Sequence, residues 1–411
     1  MPLPANPGNA DHRPRELFTR TRAERVALAR QQFFEEGVRP SGLVGEAVLQ
    51  SWMRCTRAHG DSGALVSFDP VTPSRLHATL GRNRELLDAA RDELQTMESS
   101  LAGTDARVLL TDAHGVIVHA THDPGAAAQP VLSRTARVGV NIAERMVGTT
   151  APGIVACTGR AVTVNGAEHY FSVLQQMHCA AAPIRDVHGR LAAVLDVSVE
   201  ARPFSFGAAQ MVALFATTIE NRLLVAQSQG CLLLRFQASP ALLGTPLEAL
   251  AGIGADGCVA WLNGAAERLI GRLDDEGAPH SVQQVFGTEL AALLRLTRSE
   301  AAQPVRLPGG LGVWLQARLQ ARDGVDFQHA VGLACTAEHT LAPAAAASPD
   351  QADTPCEAAR DSSLSGQSRK LIEDTLAAHG GNISQAARQL RVSRGTLYRR
   401  LRQWQDEGPA S

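Results

Sequence analysis

Six arginines crowd one short stretch: Arg388, Arg391, Arg394, Arg399, Arg400 and Arg402 fall between Asn382 and Trp404 with no acidic residue among them. Over all 411 residues the formal net charge is only −2, so positive charge is concentrated in one place. That is the footprint of contact with nucleic-acid phosphates, and a solvated basic helix is the plainer reading. A second group, Glu168, His169, His178 and Cys179, gathers carboxylate, imidazole and thiol within a dozen residues. These types can ligate a metal, hydrogen-bond a small effector in a pocket, or simply flank a strand. Cys179 has no neighbouring cysteine in sequence that would resolve an oxidised thiol.

Several chemistries are excluded by what is missing. Lys370 is the single lysine and Leu371 follows it, so no phosphate-binding loop ending in G-K-[ST] exists in the chain. G-x-S-x-G and H-E-x-x-H are also absent, and no glycine-rich dinucleotide fingerprint follows a strand. Asp112, His114, Asp186 and His188 fall at turns, where capping explains them. An enzyme is therefore not expected, and no cofactor is implied. The 7 cysteines form no C-x-x-C pair, which argues against a zinc ribbon or disulfide scaffold and fits a reducing cytoplasm. The amino terminus lacks the apolar core of a secretory signal, and no run is long enough for a membrane helix.

The elements that must position these groups read as an α+β multidomain chain. Residues 1–95 read as a polar tail, 1–20, and helices: one from Ala23 to Thr56, another from Pro73 through Leu101. Residues 96–230 read as an antiparallel sheet with helices. VLLTD (Val108–Asp112), AHG and VIVHA (Val116–Ala120) form a hairpin. Further strands follow at Ala161–Val164, Cys179–Ile184 and Leu191–Ser198, with DVHG (Asp186–Gly189) as a turn. Helical text lies at Asn141–Val147 and Ile154–Cys157, and a long helix runs from Phe206 to about Gln229. That helix either covers the sheet or forms a dimer or signalling contact. Residues 231–340 read as a second α+β domain. It has a turn at Asp256-Gly257, a helix from Asn263, and strands at Gln303–Leu307, Leu311–Arg318 and Gln328–Thr336. Residues 341–363, low in large apolar side chains and carrying Pro343, Pro349 and Pro355, form a linker.

Residues 364–411 form an all-α helix-turn-helix module. A helix over Ser365–Ala378 buries Leu371, Ile372, Thr375 and Leu376. After Gly380-Gly381 comes ISQAARQL, burying Ile383, Ala386, Ala387 and Leu390, with Asn382 or Ser384 as cap. Ser393 caps a third helix held by Leu397, Leu401 and Trp404. GGNISQAARQLRVSRGTLYRRLRQW (Gly380–Trp404) resembles the Fis-type helix-turn-helix of bacterial enhancer-binding regulators. The resemblance implies dimeric binding of duplex DNA with Ser393–Arg402 in the major groove. On that docking Arg394 and Thr396 face base edges, Tyr398, Arg399 and Arg402 face the backbone, and Arg400 serves either role.

SWMRC (Ser51–Cys55), GTTAPG (Gly148–Gly153), EHY (Glu168–Tyr170) and HCAAAPIRDVHGRLAAVLDVS (His178–Ser198) are similar to the GAF sensor of acetoin-catabolism-type activators, over about residues 40–230. The sequence departs from that pattern at Thr150 and Pro152, where the family usually has Asn and Ile. ADGCVAWLNGAAERLIG (Ala255–Gly271) resembles the start of a PAS domain. Relatives of this type often carry an AAA+ ATPase with a GAFTGA loop that engages sigma-54, and this sequence has neither. The expected protein is a cytoplasmic, homodimeric regulator. It senses a small organic effector through Glu168, His169, His178 and Cys179 and binds palindromic DNA through Ser393, Arg394, Thr396, Tyr398, Arg399, Arg400 and Arg402. RNA polymerase or another regulator is a further candidate partner. The alternative is a sensory scaffold whose terminal helices bind a protein.

Overall fold

The computed structural model describes residues 21–121, 129–273 and 279–320, together with 372, 375–377 and 383–390. The tail 1–20, the strand expected at 328–336, the linker 341–363 and the third helix of the terminal module lie outside the described residues. The chain divides into two units, Met1–Ile184 with Leu191–Ala216, and Arg185–Arg190 with Thr217–Ser411.

The first unit opens with α1 (Arg22–Arg30), which starts at a reciprocal capping box between Thr21 and Glu24. A π-turn, Gln31–Glu35, and then α2 (Glu46–His59) follow. The single helix expected over 23–56 is thus broken. Gly37 and Gly42 adopt φ of 66° and 73°, and Pro40 lies between them, so the backbone turns where apolar spacing alone suggested continuity. α3 (Pro73–Arg82) and α4 (Arg84–Ser100) likewise replace one expected helix. Asn83 leaves helical geometry between them and donates its side-chain N–H to Thr79 O at 2.8 Å.

Five antiparallel strands follow: β1 (Arg107–Asp112), β2 (Ile117–Ala120), β3 (Val162–Asn165), β4 (Met177–Arg185) and β5 (Leu191–Glu200). Their order is β2-β1-β5-β4-β3. Every β5 residue from Ala193 to Glu200 is buried, as befits a central strand covered on both faces. Two expected turns share one device. Asp112 Oδ1 accepts from the N–H groups of His114 and Val116, and Asp186 Oδ1 from those of His188 and Arg190, all at 2.9 Å. Between β2 and β3 lie the short helices α5 (Leu132–Thr135), α6 (Glu144–Val147) and α7 (Ala151–Thr158). Trp52, Leu109, Ile117, Leu132, Ile154 and Val194 share one core, so the amino-terminal helices and the sheet are built together.

The division between the units falls inside α8 (Ala208–Gln227). The second unit has β6 (Leu232–Gln237), β7 (Ala249–Ile253), β8 (Val259–Leu262), α9 (Gly264–Ile270), α10 (Val282–Phe286), α11 (Leu290–Leu296), β9 (Gln303–Arg306) and β10 (Gly312–Leu319). Its five strands run β8-β7-β6-β10-β9. Asn263 starts α9 as expected: it is buried, and its Oδ1 accepts from Ala266 N–H at 2.9 Å and Leu250 N–H at 3.0 Å. On one sheet face Phe236 meets Phe286 edge-on at 5.3 Å, and on the other Leu224 of α8 packs with Leu233, Leu250 and Trp261. In the terminal module α12 (Ile383–Gln389) forms as expected, and Ile372, Thr375, Ala386 and Leu390 are buried.

Gly252 is a packing requirement. A Cβ there would lie 2.1 Å from Trp261 Nε1, beside the bulge where β7 shifts against β8. Gly252→Ala should therefore cost about 1–3 kcal/mol through overpacking. Urea unfolding of the full chain checks this, and an unchanged transition of the second unit would refute it.

Candidate functional site

The sequence motifs of the first unit are tied to one another. Ser51 donates to Glu144, and its hydroxyl lies 2.8 Å from Thr149 Oγ1, linking α2 to the start of GTTAPG. Trp52 Nε1–H donates to Glu168 O at 2.7 Å, and Tyr170 O–H to Gly60 O at 3.2 Å. Arg54 pairs with Glu144 at 2.6 Å. Arg30 donates to the carbonyls of Ala167, His169 and Tyr170 while its guanidinium lies 4.6 Å over the Phe34 ring. The segment 166–170 is therefore clasped by α1 and α2, and that clasp fixes His169 against the sheet.

The four residues expected to form a cluster do not converge on one point. Glu168 is buried against Arg22, which donates from Nη2 at 2.8 Å, and it also accepts from Asn165 N–H at 2.8 Å. His178 is half-buried, its Nδ1 lies 3.2 Å from Asn165 Oδ1, and burial lowers its pKa. His169 and Cys179 instead line a small cavity of about 30 Å³, together with Thr135, Thr150, Asp196 and Ser198 and an apolar wall. Period-two alternation along β4 explains the split, because adjacent residues point to opposite faces. A metal held by the four side chains does not fit this placement, and no metal-competent group of three ligands occurs among the described residues.

Proton bookkeeping defines the cavity. His169 is fully buried, which lowers its pKa to about 4, so the ring is neutral at neutral pH. Its Nδ1 lies 3.0 Å from Gly166 O, a pure acceptor, so Nδ1 carries the proton and Nε2 accepts. Cys179 Sγ, 3.5 Å away, supplies that proton as a thiol, and burial raises its pKa well above the ordinary value. The Ser198 hydroxyl, 3.1 Å from the sulfur, is then free to donate to Asp196 Oδ2 at 2.7 Å. Asp196 is fully buried, its pKa is pushed up to about 7 by that burial, and its Oδ1 has no partner among the described residues. Asp196 Oδ1 is one of three buried side-chain polar atoms without a partner among the described residues, with Thr111 Oγ1 and Trp261 Nε1.

Sequence reasoning missed Asp196 and Ser198. The available signal was a lone carboxylate within AAVLDVSV, an otherwise apolar strand. Thr150 and Pro152, the two departures from the GAF pattern, also line the cavity. A larger open depression of about 380 Å³ includes Arg54, Glu144 and Cys157, where the ion pair already satisfies its charges and burial raises the Cys157 pKa. The DNA-facing set, Ser393, Arg394, Thr396, Tyr398, Arg399, Arg400 and Arg402, lies outside the described residues.

Two family models and several curated proteins match parts of the chain. Residues 19–215 match the model of the MimR N-terminal domain, and residues 366–404 match that of the bacterial regulatory protein, Fis family. The chain thus carries a region similar to the MimR N-terminal domain and a Fis-type helix-turn-helix region, and the curated proteins it resembles include bacterial transcriptional regulators. It is 30% identical over 263 residues to the acetoin catabolism regulatory protein of Cupriavidus necator, covering 62% of this chain and 39% of that protein. It is 33% identical over 198 residues to the propane 2-monooxygenase operon transcriptional activator MimR of Mycolicibacterium smegmatis, covering 46% of this chain and 31% of that protein. The chain thus spans well under half the length of these relatives. Among solved structures it is similar to the E. coli DhaR(N)–DhaL complex, at 15% identity and a TM-score of 0.42, over 66% of this chain and 99% of that one. Among the described residues no helix is long and apolar enough to cross a membrane.

Proposed function

We propose that this chain is a DNA-binding transcriptional regulator whose amino-terminal domain senses a small organic effector. The observation that carries the DNA reading is the Fis-family match over 366–404, laid on the run that concentrates six arginines. His169 and Cys179 contribute to the effector site from inside the cavity, whereas Glu168 and His178 act from outside it, Glu168 through the clasp on the 166–170 segment. A homodimer reads two half-sites of a palindrome, because one small helix-turn-helix gains specificity by doubling. The lack of a lysine-bearing phosphate loop supports regulation without ATP hydrolysis by this chain.

Binding to the DNA upstream of its own gene tests the reading. Arg394→Ala should lose about 1–3 kcal/mol on the operator and relax preference at one position per half-site. Arg399→Ala should weaken operator and random DNA alike and reduce the salt slope by about one unit. Isotherms at several salt concentrations separate the two. Wild-type affinity in both variants would mean that this helix does not enter the groove and would favour a protein partner.

A further inference from the structure

In the first unit α2, the β1–β2 turn, α6 and α7 leave an open depression of about 380 Å³ between them, and no residue lines both it and the small cavity. We propose that this depression is a second small-molecule site, which takes a monocarboxylate with a compact apolar body. Arg145 holds the carboxylate, and the body lies on Ala58, Ala113, Ala143 and Ala156. The site is independent of the small cavity, whatever that cavity binds.

Charge sets the sign of the ligand. Arg54 donates from Nε and Nη2 to Glu144, at 2.6 Å and 2.9 Å, and Glu144 also accepts from the Ser51 hydroxyl and the Cys157 thiol. That carboxylate is buried and its acceptor positions are used, so it offers nothing to a ligand cation. The two thiols of the lining add no negative charge, because burial pushes Cys55 up to about 11 and raises Cys157 as well. Arg145 is different: it is exposed, and its guanidinium has no hydrogen bond or ion pair among the described residues. With Arg54 and Glu144 cancelling, one positive charge is left over. A single carboxylate matches it, and the planar guanidinium can take both oxygens. A phosphomonoester would bring a second negative charge with no second unpaired arginine to meet it.

Shape and surface set the body. Ligand pockets occupy roughly 300–1,000 Å³, and the depression lies within that range. Each of the four elements contributes a methyl group: Ala58 on α2, Ala113 in the turn, Ala143 at the start of α6 and Ala156 on α7. No large apolar side chain of the lining fills the space, so a flat hydrocarbon face covers apolar surface that is otherwise wet. A molecule lodged there touches both α2 and α6, the helices that Arg54 and Glu144 already join, so occupancy should stabilise the first unit.

The test titrates the purified full chain with benzoate, benzamide, phenyl phosphate and benzylammonium, which share a phenyl body. Calorimetry reads affinity, and the melting midpoint reads stabilisation. Benzoate should raise the midpoint and bind at least tenfold tighter than the other three. Arg145→Gln should weaken benzoate at least tenfold and leave benzamide unchanged. Ala58→Phe, at an exposed helix position, should fill the depression and abolish benzoate binding without touching Arg145. Arg57→Gln, next to Ala58 but outside the lining, should bind benzoate as wild type does. Benzamide binding as tightly as benzoate, or tighter binding of the phosphate or the ammonium, overturns the monocarboxylate. Undiminished binding in both Arg145→Gln and Ala58→Phe overturns the site, as does an equal loss in Arg57→Gln, which would mark diffuse attraction to a basic surface. Failure of every probe to bind also overturns it, and leaves the reading of the small cavity standing.

Discussion

Trp52→Ala should destabilise the first unit by about 3–5 kcal/mol, the range for removing a large buried aromatic side chain. Trp52 is fully buried and lies 5.7 Å from the Phe33 ring and 5.2 Å from the Phe34 ring. Its Nε1–H donates to Glu168 O at 2.7 Å, so the truncation opens a void and strands a carbonyl in the clasp on 166–170. Trp52→Phe keeps much of the packing and loses the bond, and should cost roughly 1–3 kcal/mol. Urea unfolding monitored by far-UV circular dichroism checks both. A loss below about 1 kcal/mol for the alanine variant would show that the aromatic cluster does not hold the unit together. The loss should carry over to effector binding, because His169 reaches the cavity from the segment that Trp52 holds.

The hairpins were legible because their turns are chemically explicit: Asp112 and Asp186 cap their own loops, and Gly115 takes φ of 82° where an added Cβ would meet Ala143 at 2.8 Å. The start of α9 at Asn263 was legible for a similar reason. Helix breaks at Gly37–Gly42 and Asn83 were not, because apolar residues continue in phase across them. β6, LLLRFQ, was missed because a short apolar run has no period to separate strand from helix. For the site, the residue types were visible and their directions were not. His178 and Cys179 are neighbours in sequence and point to opposite faces of β4. Asp196 stood out only as a lone carboxylate in an apolar strand, because Ser198 lies two residues away on that strand while Cys179 and His169 come from other elements.

Opposite pH slopes should appear when either titratable end of the cavity chain is removed. Burial raises Asp196 from 3.8 to about 7, with the Ser198 hydroxyl partly offsetting it. Between those values the folded protein keeps a proton that the unfolded chain has released. The stabilisation is therefore full below about pH 4 and is lost as pH rises through 7, by up to about 4 kcal/mol at ~1.4 kcal/mol per unit. Burial lowers His169 from 6.5 to about 4, again chiefly by desolvation. Here the unfolded chain takes up the extra proton, so its stabilisation is full above pH 6.5 and is lost as pH falls through 4, by up to about 3 kcal/mol. Neither group's charge is a cause of the other's shift, so the two slopes add and nearly cancel between pH 4 and 6.5. Asp196→Asn removes the aspartate contribution: relative to wild type, its stability should climb as pH rises from about 4 to 7. His169→Gln removes the histidine contribution and should decline, relative to wild type, from about pH 4 to 6.5. Subtracting the wild-type curve removes every other titrating group. Urea midpoints at pH 4.5, 5.5, 6.5 and 7.5 measure both differences, and parallel curves for all three proteins would mean that neither group changes its proton affinity on folding.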